Sequence, residues 1–153
     1  MRYPGLACAA LAASIALTPA AAEEYGSAKE AESMVKAAVA HVRKVGKEQA
    51  YFDFTFRSAP FMDRDLYVVV YGMDGRVFAH GQNAGMVGRE VIGLKDPDGK
   101  PFVRERVELA KSKGTFWQDY KFSDPISTKV LPKAMYCERL DNTIVCTSIL
   151  RRT

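Results

Sequence analysis

The chain has 153 residues, with 22 Lys and Arg against 18 Asp and Glu and a formal net charge of +4. The charges are interspersed along the chain, which excludes a nucleic-acid footprint and describes a solvated surface. The length is enough for one domain with a proper core.

The first stretch reads as an export signal. Met1-Arg2 gives a positive start, Leu6 to Leu17 is apolar, Thr18-Pro19 breaks the run, and Ala20-Ala21-Ala22 fits a small-x-small cleavage site. The apolar run is too short for a bilayer, which takes roughly 20 residues. Residues 1–22 are therefore expected to be a signal peptide and residues 23–153 a single domain, periplasmic or secreted. Cys8 follows Gly5-Leu6-Ala7, a poor lipobox.

Ser27-x-x-Glu30 matches a capping box, and Ala31, Met34, Val35, Ala38, Val42 and Val45 then follow helical spacing up to Gly46. His41 lies off this stripe and reads as a surface residue. A shorter helix over Lys47 to Phe56 carries Tyr51, Phe52, Phe54 and Phe56, expected to pack under a sheet.

Arg64 to Gly81 reads as two strands around a tight Asp74-Gly75 turn. A two-residue turn sets Tyr71 opposite Phe78 and Val69 opposite His80. One face then carries Tyr67, Val69, Tyr71, Phe78 and His80, and the other Leu66, Val68, Val70, Val77 and Ala79. The second face is an ordinary helix-packing surface. The first is apolar in bulk with two phenols and an imidazole, the composition of a small-molecule pocket wall.

Gln82 to Gly99 is glycine-rich and without clear period, a long loop with a short helix expected near Val87 to Ile92. Asp96-Pro97-Asp98-Gly99 reads as a turn, since a calcium loop would need further ligands. A helix follows Pro101, with either Phe102, Arg106 and Leu109 or Val103, Val107 and Ala110 as its apolar face. In the strand from Thr115 to Phe122, alternation puts Phe116, Gln118 and Tyr120 on one face and Trp117, Asp119 and Lys121 on the other. Asp124-Pro125 opens a loop that ends at Lys133.

A second hairpin turns at Asp141-Asn142, which sets Cys137 opposite Cys146 in a non-hydrogen-bonded pair. The Cα separation there, about 4.5 Å, suits a disulfide. Two cysteines with no nearby histidine do not make a metal site, so no metal is expected. Sequential antiparallel strands with helices packed on the sheet make the fold class α+β. The only histidines are His41 and His80, and no nucleophile elbow, zinc-helix or phosphate-loop motif occurs. No catalytic residue and no cofactor are expected.

In order, Phe61-x-Asp63-x-Asp65-Leu66-Tyr67, Asp74-Gly75-x-Val77-x-Ala79-His80-Gly81, Gly88, and Asp96-x-Asp98-Gly99-Lys100-Pro101-Phe102 resemble the single Cache domain, type 2. Gly114-x-x-Trp117-x-x-Tyr120 and Pro125 followed by Lys133-x-x-Tyr136 continue the resemblance over roughly Val35 to Leu150. It implies a PAS-like five-stranded antiparallel sheet with a long N-terminal helix, and a sensor-type module that binds a small metabolite such as a short carboxylate or amino-acid-like anion. Carried over position by position, it implies Tyr67, His80, Trp117, Lys133 and Tyr136 as ligand-binding residues. Lys133 would supply the cation, with Arg89 as a second candidate. The partners implied are a small organic ligand and a membrane signalling protein, with a homodimer through the first helix as an option and neither nucleic acid nor a membrane anchor. The alternatives are an accessory protein with a degenerate pocket, or a small exported enzyme using His80. The chain departs from the pattern in its cysteine pair, in Gly72, and in showing neither a membrane helix nor an output domain.

Overall fold

The computed structural model describes residues 24–57, 59–123 and 128–151. The expected signal peptide and the Asp124-Pro125 loop lie outside the described residues. Helix α1 spans Ala28–Val45. The Ser27 hydroxyl accepts from the Glu30 N–H while the Glu30 carboxylate accepts from the Ser27 N–H, so the capping box forms as the sequence predicts. Gly46 ends the helix at φ +85°, a conformation that costs a residue with a Cβ. α1 buries Ala31, Met34, Val35, Ala38, Val39 and Val42 along one side, whereas Val45 is exposed.

Helix α2 spans Lys47–Phe56 and folds back on α1. Its aromatics divide. Phe54 is buried, Tyr51 is half-buried against Phe78, and Phe52 and Phe56 are 50% and 63% exposed. The expectation that all four pack the core fails because four aromatics within six residues cannot share one helix face. His41 is not a free surface residue. It is half-buried against Phe61, with Nε2 2.8 Å from Asp53 Oδ2, tying α1 to α2.

A small antiparallel ribbon, β1 (Met62–Asp63) and β2 (Leu66–Tyr67), leads into the main sheet. That sheet holds β3 (Val69–Gly72), β4 (Val77–His80), β5 (Thr115–Ser123), β6 (Val130–Leu140) and β7 (Thr143–Leu150), in the order β4-β3-β7-β6-β5 and antiparallel throughout. This is the expected α+β architecture, with the five-stranded antiparallel sheet that the resemblance implies. β6 starts at Val130, so Lys133 lies inside a strand rather than at the end of a loop. β7 is central and is buried over Thr143–Ile149.

The first hairpin differs from its two-residue expectation in two compensating ways. The Gly72 N–H donates to the Arg76 carbonyl, so Met73, Asp74 and Gly75 form a three-residue loop with Gly75 at φ +82°. The register then shifts next to Val70 and Tyr71: Tyr71 pairs with Val77, whereas Val70 pairs with Ala79 and Val69 with His80. Phe78 is the extra residue of this β-bulge. Val77 therefore joins Val69 and Tyr71 on one face, while Phe78 turns to the helices, exchanging the faces the sequence assigned to them. His80 keeps its expected place.

One sheet face, with Val68, Val70, Ala79, Ala134, Tyr136 and Val145, packs against α1 and α2. The other, with Val69, Tyr71, Phe116, Tyr120, Met135, Cys137 and Ile144, packs under helix α3 (Phe102–Ser112) and the 81–99 loop. That loop holds one 3-10 turn at Ala84–Met86 instead of the helix expected near Val87. Cys137 and Cys146 sit opposite each other, Cα atoms 4.2 Å apart, and form the disulfide the second hairpin's register predicts. Among the described residues, no helix is long and apolar enough to cross a membrane.

Candidate ligand-binding site

Between the second sheet face and α3 lies a cavity of about 100 Å³. β2 supplies Tyr67; the main sheet supplies Val69, Tyr71, Val77, His80, Tyr120, Phe122 and Met135; the loop supplies Met86, Val91 and Leu94; α3 supplies Phe102, Val103 and Arg106. A larger hollow, about 670 Å³, opens beside Val45, Gln49 and Phe52. It is a shallow surface dish at one helix start, without the convergent polar groups that mark a ligand site.

Arg106 is the unusual member of the cavity wall. It is 0% exposed, on the face of α3 that also buries Val103, Val107 and Ala110. Its Nε donates to Gln118 Oε1 at 3.0 Å. Nη1 and Nη2 are buried and have no partner. The guanidinium carbon lies 5.0 Å from the Tyr71 ring centroid, 5.3 Å from that of Tyr120 and 5.5 Å from that of Phe102. Ring quadrupoles offset part of the cost of burying the charge. They do not replace hydrogen bonds, and a buried charge with unmet donors costs several kcal/mol.

Gln118 is locked from its other end. Its Nε2 donates to the Phe102 carbonyl at 2.8 Å and to a Glu105 carboxylate oxygen, which fixes Oε1 toward Arg106. Glu105 also pairs with Lys100 Nζ at 2.9 Å. Burial alone would push the Glu105 carboxyl up, but the Gln118 and Lys100 hydrogen bonds and the nearby charges outweigh it and hold it below its ordinary value. Sequence alternation placed Gln118 beside Phe116 and Tyr120, as found. The sequence sets Arg106 with Phe102 and Leu109 as one of two alternative apolar faces; the structure buries it with the other, Val103, Val107 and Ala110. The signal was available: Val103, Arg106, Val107 and Ala110 make one continuous helical arc with a charge at its centre.

Three of the five residues carried over from the resemblance come together. The Tyr67 and His80 rings stack, centroids 5.2 Å apart, and Lys133 Nζ lies 5.8 Å from the Tyr67 ring and 5.3 Å from that of Phe122. Trp117 and Tyr136 sit on the opposite sheet face, rings 5.3 Å apart, packed toward α1, where Trp117 Nε1 donates to Glu32 Oε1 at 3.1 Å. Arg89 is exposed in the loop.

His80 is held by backbone. Its Nδ1 accepts from the N–H groups of Gln82 and Asn83, at 3.3 and 3.0 Å, and its own N–H donates to Thr55 Oγ1. Since Nδ1 is the acceptor, the neutral ring carries its proton on Nε2. Burial holds the His80 pKa below its ordinary value, and Lys133 adds to the shift. Burial likewise pushes the Tyr67 and Tyr120 phenols up, so both stay protonated donors. The cavity thus offers a guanidinium edge, phenol donors and a neutral imidazole inside an apolar shell, a set that recognises a small anion.

The comparisons with known proteins agree with this architecture. The sensor histidine kinase MctS of Rhizobium johnstonii is 31% identical over 78 residues, 51% of this chain. The chain spans 17% of that relative's length. A methyl-accepting chemotaxis protein from Vibrio parahaemolyticus superposes with a TM-score of 0.67 at 19% identity, covering 80% of this chain and 86% of that one. A Cache chemosensory domain solved for carboxylic acid recognition gives a TM-score of 0.67 at 19% identity, covering 81% and 92%. At these identities the two structures speak for the fold alone. Residues 20–150 match the single Cache domain 2, and the chain belongs to that family of sensor domains.

Proposed function

We propose that this protein is an exported binding module for a short carboxylate, held by Arg106, and that it works without catalysis. The observation that carries the reading is a fully buried guanidinium whose Nη1 and Nη2 lack partners at the wall of a cavity. A carboxylate meets that edge in the bidentate geometry arginine favours. The cavity, about 100 Å³, is smaller than the roughly 300–1,000 Å³ of sites for drug-sized ligands and suits a short carboxylate. Tyr67 and His80 then line the other end of the ligand, with Lys133 behind the Tyr67 ring.

The disulfide supports an oxidising compartment. Catalysis would need a base with an oriented partner, and His80 is oriented by two backbone amides on the loop side. Membership of the sensor-domain family and the likeness to a sensor histidine kinase support a membrane signalling protein as the listener to the bound state.

A thermal-shift screen of C2 to C4 carboxylates, amino acids and neutral alcohols tests this. A carboxylate at 100 times its dissociation constant should stabilise the protein by about 2.7 kcal/mol, and Arg106→Leu should abolish the shift. Carboxylates that leave the wild type unshifted, or shift both proteins equally, would overturn the reading.

A further inference from the structure

We propose that His80 is a proton-controlled positioning residue, which in its neutral form pins the loop that roofs the cavity and on protonation lets it go. Two backbone N–H groups converge on the Nδ1 lone pair, from Gln82 and Asn83. The next turn hangs from the same point. Asn83 Oδ1 accepts from the Gly85 N–H, and the Asn83 carbonyl accepts from the Met86 N–H. Met86 is a wall of the cavity. Further on, the loop is tied to the hairpin by Gly88 N–H to the Val77 carbonyl and Val91 N–H to the Gly75 carbonyl. Asp96 and Asp98 tie the far end of the loop to Lys121 of β5. Of these attachments, only the His80 one can titrate near neutrality.

A proton on Nδ1 would face two N–H donors, so both bonds would be lost together. The surroundings also oppose a charged ring. Lys133 of β6 stands close and Arg106 of α3 shares the cavity, both cationic, while Tyr67 of β2 stacks on the ring and α2 meets only the His80 main-chain N–H, through the Thr55 hydroxyl. The sign follows from linkage. The attached roof binds no proton at His80, so it is fully favoured above the ordinary histidine pKa of about 6.5 and weakens as the pH falls below it.

The carboxylate arm of the test rests on the proposed function; the first arm does not. In ligand-free protein, amide-exchange protection of Gln82, Asn83 and Met86 is measured by NMR from about pH 7.5 to 5.5, together with the ¹⁵N shifts of the His80 ring. Protection should fall on acidification by up to about tenfold per pH unit, the limit for one linked proton, and the ring should be protonated at Nε2 alone at the upper pH. His80→Asn keeps an acceptor at the Nδ1 position but cannot titrate, so its protection should follow no such fall. In the second arm, calorimetry with propionate should show affinity, per propionate ion, falling with pH in the wild type and flat in His80→Asn. PH-independent protection in the wild type, an Nδ1-protonated ring, or affinity that rises on acidification would each overturn the proposal; the last would make the imidazole an attracting charge. If propionate binds at no pH while the protection data behave as stated, the carboxylate reading fails and the latch stands.

Discussion

Arg106 Nε donates to Gln118 Oε1 at 3.0 Å, and that bond decides which edge of the guanidinium meets the cavity. With Nε engaged and Gln118 itself held by Phe102 and Glu105, the Nη1/Nη2 edge is left for a ligand. Charge in this pocket is thus set by α3 and aimed by β5.

Arg106→Leu should separate binding from stability. Removing an unmet buried charge should leave stability unchanged or raise it by up to about 2 kcal/mol in urea unfolding. Carboxylate affinity should fall at least about 100-fold, the scale of a lost charge-assisted contact of 3 kcal/mol. A variant that lost both together would point to a structural role instead.

Gln118→Met tests the aiming. The substitution keeps the length of the side chain while removing its acceptor, so Arg106 stays charged but unheld. Affinity should drop about tenfold, the loss of one hydrogen bond to a charged group. Calorimetry on a variant that unfolds at the wild-type temperature checks it.

Trp117→Phe tests which side of the sheet matters. Trp117 packs toward α1 and donates to Glu32. The substitution should cost about 1 kcal/mol of stability through the lost hydrogen bond and smaller ring, and carboxylate affinity should remain within a factor of two. A tenfold weaker affinity would bring Trp117 into the site.

Asp96 should set part of the acid limb of stability. Its Oδ1 accepts from the N–H groups of Asp98 and Lys100, both at 3.0 Å, and its Oδ2 from that of Lys121 at 3.2 Å. Burial alone would push this carboxyl up; the backbone donors outweigh it and hold it below its ordinary value. A lowered carboxylate pKa contributes stability above about pH 4, and that stability is lost as the pH falls below it. Asp96→Asn should lower stability at neutral pH and flatten the decline below pH 4. An unchanged acid limb would contradict this.

The disulfide closes a short hairpin, so Cys137→Ala with Cys146→Ala should cost about 2–3 kcal/mol by loop-closure entropy, read from urea midpoints. The cavity should survive, since the bridge shares its sheet face but is not among the cavity's lining residues.

Much of this fold was legible because alternation and turn chemistry agree along most of the chain. The Asp141-Asn142 turn fixed Cys137 against Cys146, and the Ser27–Glu30 box fixed the start of α1. The first hairpin was harder. The three-residue loop closed by Gly75 and the bulge at Phe78 shift the register by one residue and shift it back, so His80 was placed correctly while Val77 and Phe78 were exchanged. Alternation had already separated Trp117 from Tyr120; the resemblance carried Trp117 toward the ligand, and the structure puts it on the far face. Arg106 stayed hidden as a site residue because the sequence set it with Phe102 and Leu109, on a face separate from Val103, Val107 and Ala110, and its burial depends on Gln118 and three aromatic rings brought in from β3, β5 and α3.

The most direct measurement is a crystal structure of the protein soaked with propionate. The account predicts density in the cavity with both carboxylate oxygens within hydrogen-bonding distance of Nη1 and Nη2 of Arg106. Propionate seated elsewhere, or a cavity holding only water at saturating ligand, would contradict it.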